Sequence, residues 1–218
     1  MEPQTVSTAL ARTAGSREPQ RSLQLSPDLR QKTTLALQRY GSRERFMEIL
    51  NPDTQLVAAR NKERAFFGDA PTLAVMRHAY GDNFPVMWMM PQIFEICEFT
   101  GVKKIDEAQN LAIARVINQE YGYLKASELL LFFYRFKTGK YGRFYGSVDP
   151  MVIMTALSDF MREREAEVIR HEEELKERAR DEHAKTAITA EEYCRRNGMP
   201  EMSMHELIAS AMVKPTTD

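Results

Sequence analysis

Little in this 218-residue sequence is concentrated enough to name a chemistry. Cysteine is almost absent. Cys97 and Cys194 are far apart and lack CxxC spacing, which excludes a disulfide framework and a cysteine-only zinc site and points to free thiols in a reducing cytoplasm. No long apolar run is present. The most apolar segment, PVMWMMPQIF at 85–94, contains Pro85 and Pro91 and falls well short of the ~20 residues a bilayer crossing needs. It reads as buried core, and no membrane partner is expected. The opening MEPQTVSTALARTAGS lacks a charged start followed by an apolar block, so no secretory signal is read there, and Pro3 and Gly15 argue against an amphipathic transit helix. The formal net charge of −1 gives no global attraction for nucleic acid, so any such role has to rest on a local patch. β-branched residues sit singly at helical spacing and never alternate over a strand's length, and no internal repeat is visible.

Catalytic templates are missing as well. His171-Glu172-Glu173-Glu174 begins like HExxH, but Leu175 stands where the second histidine belongs. None of the four histidines is preceded by glutamate at the ExxH spacing of di-iron bundles. No serine sits in GxSxG, and TGKYGRFYG matches neither GxGxxG nor a P-loop. Paired carboxylates occur only in a charged helical stretch that offers no shelter to shift a pKa. The reading is of a non-enzymatic chain with no catalytic residues, no metal ligands and no cofactor. An unrecognised helical active site would need a deep pocket around His78 or Cys97.

What is present is helix grammar. Ser26, Pro27 and Asp28 make an N-cap, a first-turn proline and a dipole-matched acid, and Gly41 ends that helix. Further helices are read over SRERFMEIL, over DTQLVAARNKERAFFG as one piece, over DAPTLAVMRHAYG, and from Pro85 or Pro91 to Gly101 with Ile93, Phe94, Ile96, Cys97 and Phe99 inside. In DEAQNLAIARVINQEYG, Ala108, Leu111, Ala112, Val116 and Tyr121, with Ile113 and Ile117, form a wide apolar stripe. The most apolar helix is read from Ala126 to Lys137. A long one starts at Asp149-Pro150, burying Met151, Ile153, Met154, Leu157, Phe160 and Met161, and continues through 162–182, where fifteen of twenty-one residues are charged. Two short helices follow, over 189–198 and over 203–213, the second with Met204, Leu207, Ile208 and Met212 on one face. The fold class is all-α: an irregular multi-helix bundle with one long C-terminal charged helix. Residues 1–25 read as a disordered arm, 26–161 as the helical core domain, 162–188 as an exposed charged helix, and 189–218 as short C-terminal helices and a tail.

One connection is unusual. FKTGKYGRFYGSVDP, residues 136–150, interleaves Lys137, Lys140 and Arg143 with Phe136, Tyr141, Phe144 and Tyr145. Between Tyr121 and Val148 there are five basic residues (Lys125, Arg135, Lys137, Lys140, Arg143) against the single acid Glu128. In single-strand binding, bases stack on aromatic faces while cations follow the phosphates. Arg135, Lys137, Lys140 and Arg143 are therefore candidate phosphate or acidic-partner contacts, and Tyr141 and Tyr145 candidate stacking or anchoring residues. Four such cations would give a salt slope of about −3 and ~50-fold weaker binding between 50 and 200 mM salt. The competing reading packs the rings onto the core and leaves the cations solvated. Another class of function, a homo-oligomerisation or protein-docking module, would use the long charged helix, where Val168 and Leu175 make a thin seam, together with the 203–213 helix.

The stretch EYGYLKASELLLFFYRFKTGKYGRFYGSVDPMVIMTALSDFMRER, at 120–164, resembles an uncharacterised protein family of gut anaerobes, their phages and mobile elements. The matching features are Tyr123-Leu124-Lys125, Leu131-Phe132-Phe133, the KxGxYGxFYG pattern from Lys137 to Gly146, and Ile153 through Phe160 running into charged residues. The resemblance covers about a fifth of the chain. It implies an accessory of replication or DNA processing in mobile elements, with nucleic acid or a replication protein as partner, and no established activity.

Overall fold

Short helices with well-formed ends build the molecule. A computed structural model describes residues 26–101, 103, 105–142, 149–200 and 202–212. The arm at 1–25 lies outside the described residues. Among those described there are eleven helices: α1 Pro27–Tyr40, α2 Arg43–Ile49, α3 Thr54–Arg60, α4 Lys62–Phe67, α5 Leu73–Tyr80, α6 Phe84–Thr100, α7 Glu107–Glu120, α8 Ala126–Lys137, α9 Pro150–Thr186, α10 Ala190–Asn197 and α11 Met204–Met212. No strand occurs among them, and an isolated antiparallel bridge joins Thr72 to Lys125. The all-α reading holds, with its long helix near the C-terminus. The chain forms two compact units, Met1–Pro150 and Met151–Asp218.

In the first unit side chains cap the helix starts, Ser26 as expected from the sequence. Ser26, Ser42, Thr72 and Asp106 accept from backbone N–H groups of the first turns of α1, α2, α5 and α7. Gly101 takes the left-handed conformation (φ 66°, ψ 14°) that closes α6. The 54–67 stretch differs from the single helix expected. Asn61 leaves helical geometry (φ −128°, ψ 73°), ends α3, and its side chain accepts from Arg64 N to start α4. A local asparagine–backbone bond competes with helix continuation, and here it wins.

The core centres on Phe46, which is fully buried and lies 4.9 Å from Tyr40, 5.2 Å from Tyr80, 5.3 Å from Phe84 and 6.3 Å from Trp88, centroid to centroid. These rings come from α1, α2, α5 and α6, so one cluster locks four helices together. Beside it, the carbonyl of Leu50 at the end of α2 accepts from Trp88 Nε1 (2.8 Å) and Gln92 Nε2 (3.0 Å). Gln55 Nε2 in turn donates to Gln92 Oε1 (2.9 Å). Buried polar side chains thus satisfy a helix-end carbonyl that has no partner within its own helix.

Two expected faces are buried only in part. On α7 the buried residues are Asn110, Ile113, Ala114 and Ile117, while Ala108, Ala112 and Val116 lie exposed. Asn110 accounts for part of the difference: its Nδ2 donates to the Met90 carbonyl of α6 (3.0 Å), drawing a polar position inward. On α6, Ile93, Ile96 and Cys97 are buried as expected, but Phe94 is half-buried and Phe99 is 58% exposed.

Burial raises the Tyr80 and Tyr40 phenols above their ordinary value of 10.0. Each holds its proton more tightly folded than unfolded. Its contribution to stability is therefore complete below pH 10 and is lost as pH rises through the elevated folded value. We expect the urea midpoint to fall between pH 8 and pH 11, and the fall to shrink in a Tyr40→Phe/Tyr80→Phe variant. An equal fall in that variant would assign the alkaline loss to other groups.

The second unit is simple. At ~1.5 Å per residue, the 37-residue α9 is about 55 Å long. Ile153, Ala156, Leu157 and Phe160 are buried, whereas Met151, expected inside, is 70% exposed. Along the charged part, Arg170 pairs with Glu167 and with Glu174 (3.2 Å), and Arg162 with Asp159 (3.0 Å). These are the three- and four-residue spacings that support an exposed helix. Thr189 caps α10, Gly198 ends it, and Cys194 is buried. On α11, Met204 and Ile208 are 52% and 56% exposed. Among the described residues no helix is long and apolar enough to cross a membrane.

Candidate functional site

The predicted surface begins on α8. Phe132, Phe133 and Phe136 are buried, which fixes the helix's rotation and so the directions of its cations. Arg135 and Lys137 are two positions apart, about 200° around a helix, and turn to different neighbours. Arg135 is half-buried, with its guanidinium 5.8 Å from the centroid of the Phe66 ring of α4. Lys137 reaches α6: its Nζ is 2.9 Å from Glu95 Oε1 and 5.0 Å from the centroid of Phe99, and its side chain is only 9% exposed. The exposed Phe99 thus forms one wall of an ion-pair niche.

Lys140 and Tyr141 are brought together. Lys140 is exposed, with Nζ 5.8 Å from the centroid of the Tyr141 ring, and that half-buried ring lies 6.0 Å from Phe132. Lys140 N donates to Arg135 O (3.0 Å) and Gly139 N to Phe136 O (3.0 Å), folding the chain back over the end of α8. Arg143 and Tyr145 lie outside the described residues.

A second feature had no sequence signal. Leu73 N and Ala74 N, at the start of α5, donate to Leu124 O (3.0 Å) and Gly122 O (2.8 Å), and Ala126 N donates to Pro71 O (2.9 Å). This zipper places Lys125 over the end of α4, where its Nζ donates to Phe66 O (2.8 Å) and Gly68 O (2.9 Å). Ser127 Oγ donates to Ala65 O (2.7 Å). Lys125, counted in the sequence among the basic excess, therefore caps a helix C-terminus, where a cation complements the dipole.

Beside that cap opens a cleft of about 690 Å³, lined by Leu35, Tyr40, Phe67, Pro71 and Val75 and by the charged Lys32, Arg39, Asp69 and Lys125. A neighbouring recess of about 370 Å³ shares Arg39, Tyr40 and Asp69 and adds Arg64. Lys32 is paired with Asp28 (2.8 Å). Arg39, exposed, lies over the Tyr40 ring at 5.5 Å. The Tyr40 phenol is raised chiefly by burial; the charges of Arg39 and Arg64 oppose the rise and Asp69 adds to it. The cleft residues come from α1, α4, the turn that follows it, α5 and the residue before α8, so no motif or period could have joined them. His78 is exposed and Cys97 buried, and neither lines these openings. Among the described residues no cluster of three or more His, Cys, Asp and Glu could hold a metal ion.

Residues 104–203 match a family described as of unknown function (DUF6633), so an uncharacterised domain occupies that stretch, from α7 through α10. The matched stretch includes the basic–aromatic connection and the whole of α9. No curated protein and no solved structure matches the chain.

Proposed function

We propose that this chain is a non-enzymatic accessory protein that contacts nucleic acid, or a nucleoprotein partner, through the end of α8 and the connection after it. The observation that carries the reading is the charge imbalance between Tyr121 and Val148, five basic residues to one acid, ending on an exposed Lys140 beside the Tyr141 ring. The pairing of Lys137 with Glu95 takes that lysine off the list of phosphate contacts. Arg135, Lys140 and Arg143 are then the cations that follow phosphates, with Tyr141 and Tyr145 supplying ring surface. The resemblance at 120–164 supports a setting in phage or mobile-element DNA replication.

Three cations on single-stranded phosphates correspond to a salt slope of about −2, or ~20-fold weaker binding between 50 and 200 mM salt. A fluorescence-anisotropy titration with a single-stranded oligonucleotide is expected to show that slope. Lys140→Glu with Arg143→Glu is expected to abolish most of the binding. Affinity unchanged by this double substitution would remove the surface from consideration.

A second reading, an interaction or oligomerisation module, is favoured by apolar residues left outside in the second unit: Ile169 and Leu175 on α9, and Met204 and Ile208 on α11. A homo-oligomer built on them would show a mass that rises with concentration in light scattering and falls back with Met204→Glu/Ile208→Glu.

A further inference from the structure

We propose that the cleft between α1, the 67–72 turn and the Lys125 cap binds a small amphipathic anion, with an aliphatic or aryl body and one carboxylate, sulfonate or phosphate head. Three observations converge on that chemistry. The volume, about 690 Å³ with a further 370 Å³ alongside, is in the range of small-molecule sites. The walls are largely apolar: Leu35, Phe67, Pro71 and Val75 line the larger space.

The charge is mostly positive, and three of the cations are not neutralised internally. Among the described residues, Arg39, Arg64 and Lys125 have no carboxylate at ion-pair distance, whereas Lys137 has Glu95 and Lys32 has Asp28. Asp69 is the one acid lining either space. Lys125 is held in place by two backbone carbonyls, so its charge is already positioned and costs little to order when a ligand arrives. Arg39 and Arg64 are exposed and able to fold onto a head group, where charge-assisted hydrogen bonds are the strong kind.

Nucleic acid suits this site poorly. The Tyr40 ring that lines it is only 4% exposed and offers no stacking face. The ligand is therefore distinct from the partner proposed for the end of α8, and the two ideas stand or fall separately.

The probe is 8-anilinonaphthalene-1-sulfonate, an aryl body with a sulfonate head, titrated into the full chain at low salt and followed by fluorescence. Saturable enhancement is expected. Dodecanoate below its micellar range should displace the dye, and dodecyltrimethylammonium, with the same tail and the opposite charge, should not. Arg39→Glu/Arg64→Glu changes two exposed side chains and should weaken dye binding by about tenfold or more, with the melting curve unchanged. If that variant loses its fold, Arg39→Gln/Arg64→Gln is read in its place, with a smaller loss expected. Lys140→Glu/Arg143→Glu should leave dye binding as it was. No enhancement, equal displacement by the cationic amphiphile, or unchanged affinity in both arginine variants overturns the proposal.

Discussion

Phe46→Ala is expected to cost about 3–5 kcal/mol of stability, the range for emptying a large aromatic site in a packed interior. Typical domains have only about 5–15 kcal/mol to lose. Phe46 is fully buried and touches rings from three other helices, so no single neighbour can relax into the space without leaving another contact. Trp88, the chain's single tryptophan, lies in the same cluster, and its fluorescence during guanidinium unfolding reports on the helices concerned. Met87→Ala, at a position 59% exposed on the same helix as Trp88, is expected to stay within about 0.5 kcal/mol of the parent. A Phe46→Ala cost no larger than that of Met87→Ala would mean that the ring cluster does not organise the fold.

The second large effect concerns Lys137. Glu95→Ala leaves its ammonium nearly enclosed and without its carboxylate, and should cost about 2 kcal/mol. The Glu95 side chain is 29% exposed, which places the cost below that of a fully enclosed pair. Glu95→Leu with Lys137→Met removes both charges and should cost less than Glu95→Ala alone, because it is the stranded charge that is expensive. Denaturant unfolding of the single and double variants completes the cycle; additive costs would show that the two side chains are not coupled. The same variants bear on function. Lys137→Met should leave oligonucleotide affinity within about twofold, while losing a true phosphate contact reduces the salt slope. Loss of binding on Lys137→Met, with the fold intact, would put this lysine back among the contacting cations.

The difference between Lys137 and Lys140 illustrates the limit of sequence reading. Both stand in the same basic–aromatic stretch, and composition treats them alike. One faces Glu95, forty-two positions away, while the other is exposed past the end of the helix. α7 shows the same limit. Its apolar positions spread around most of the helix, so the period could not choose a face. A side-chain amide reaching the Met90 carbonyl of another helix chose it.

Local information was enough for the all-α class, for the long charged helix and for most helix ends, because caps, prolines and glycines act through bonds within a few residues of themselves. The break at Asn61 is also local, and was obscured by good helix formers on both sides. The partner of each cation, the exposed faces of α6 and α7 and the cleft beside Lys125 depended on which distant segments meet. Burial and charge pairing are properties of the assembled three-dimensional neighbourhood, and the linear order of residues carries no distance between α1, α4 and the start of α8.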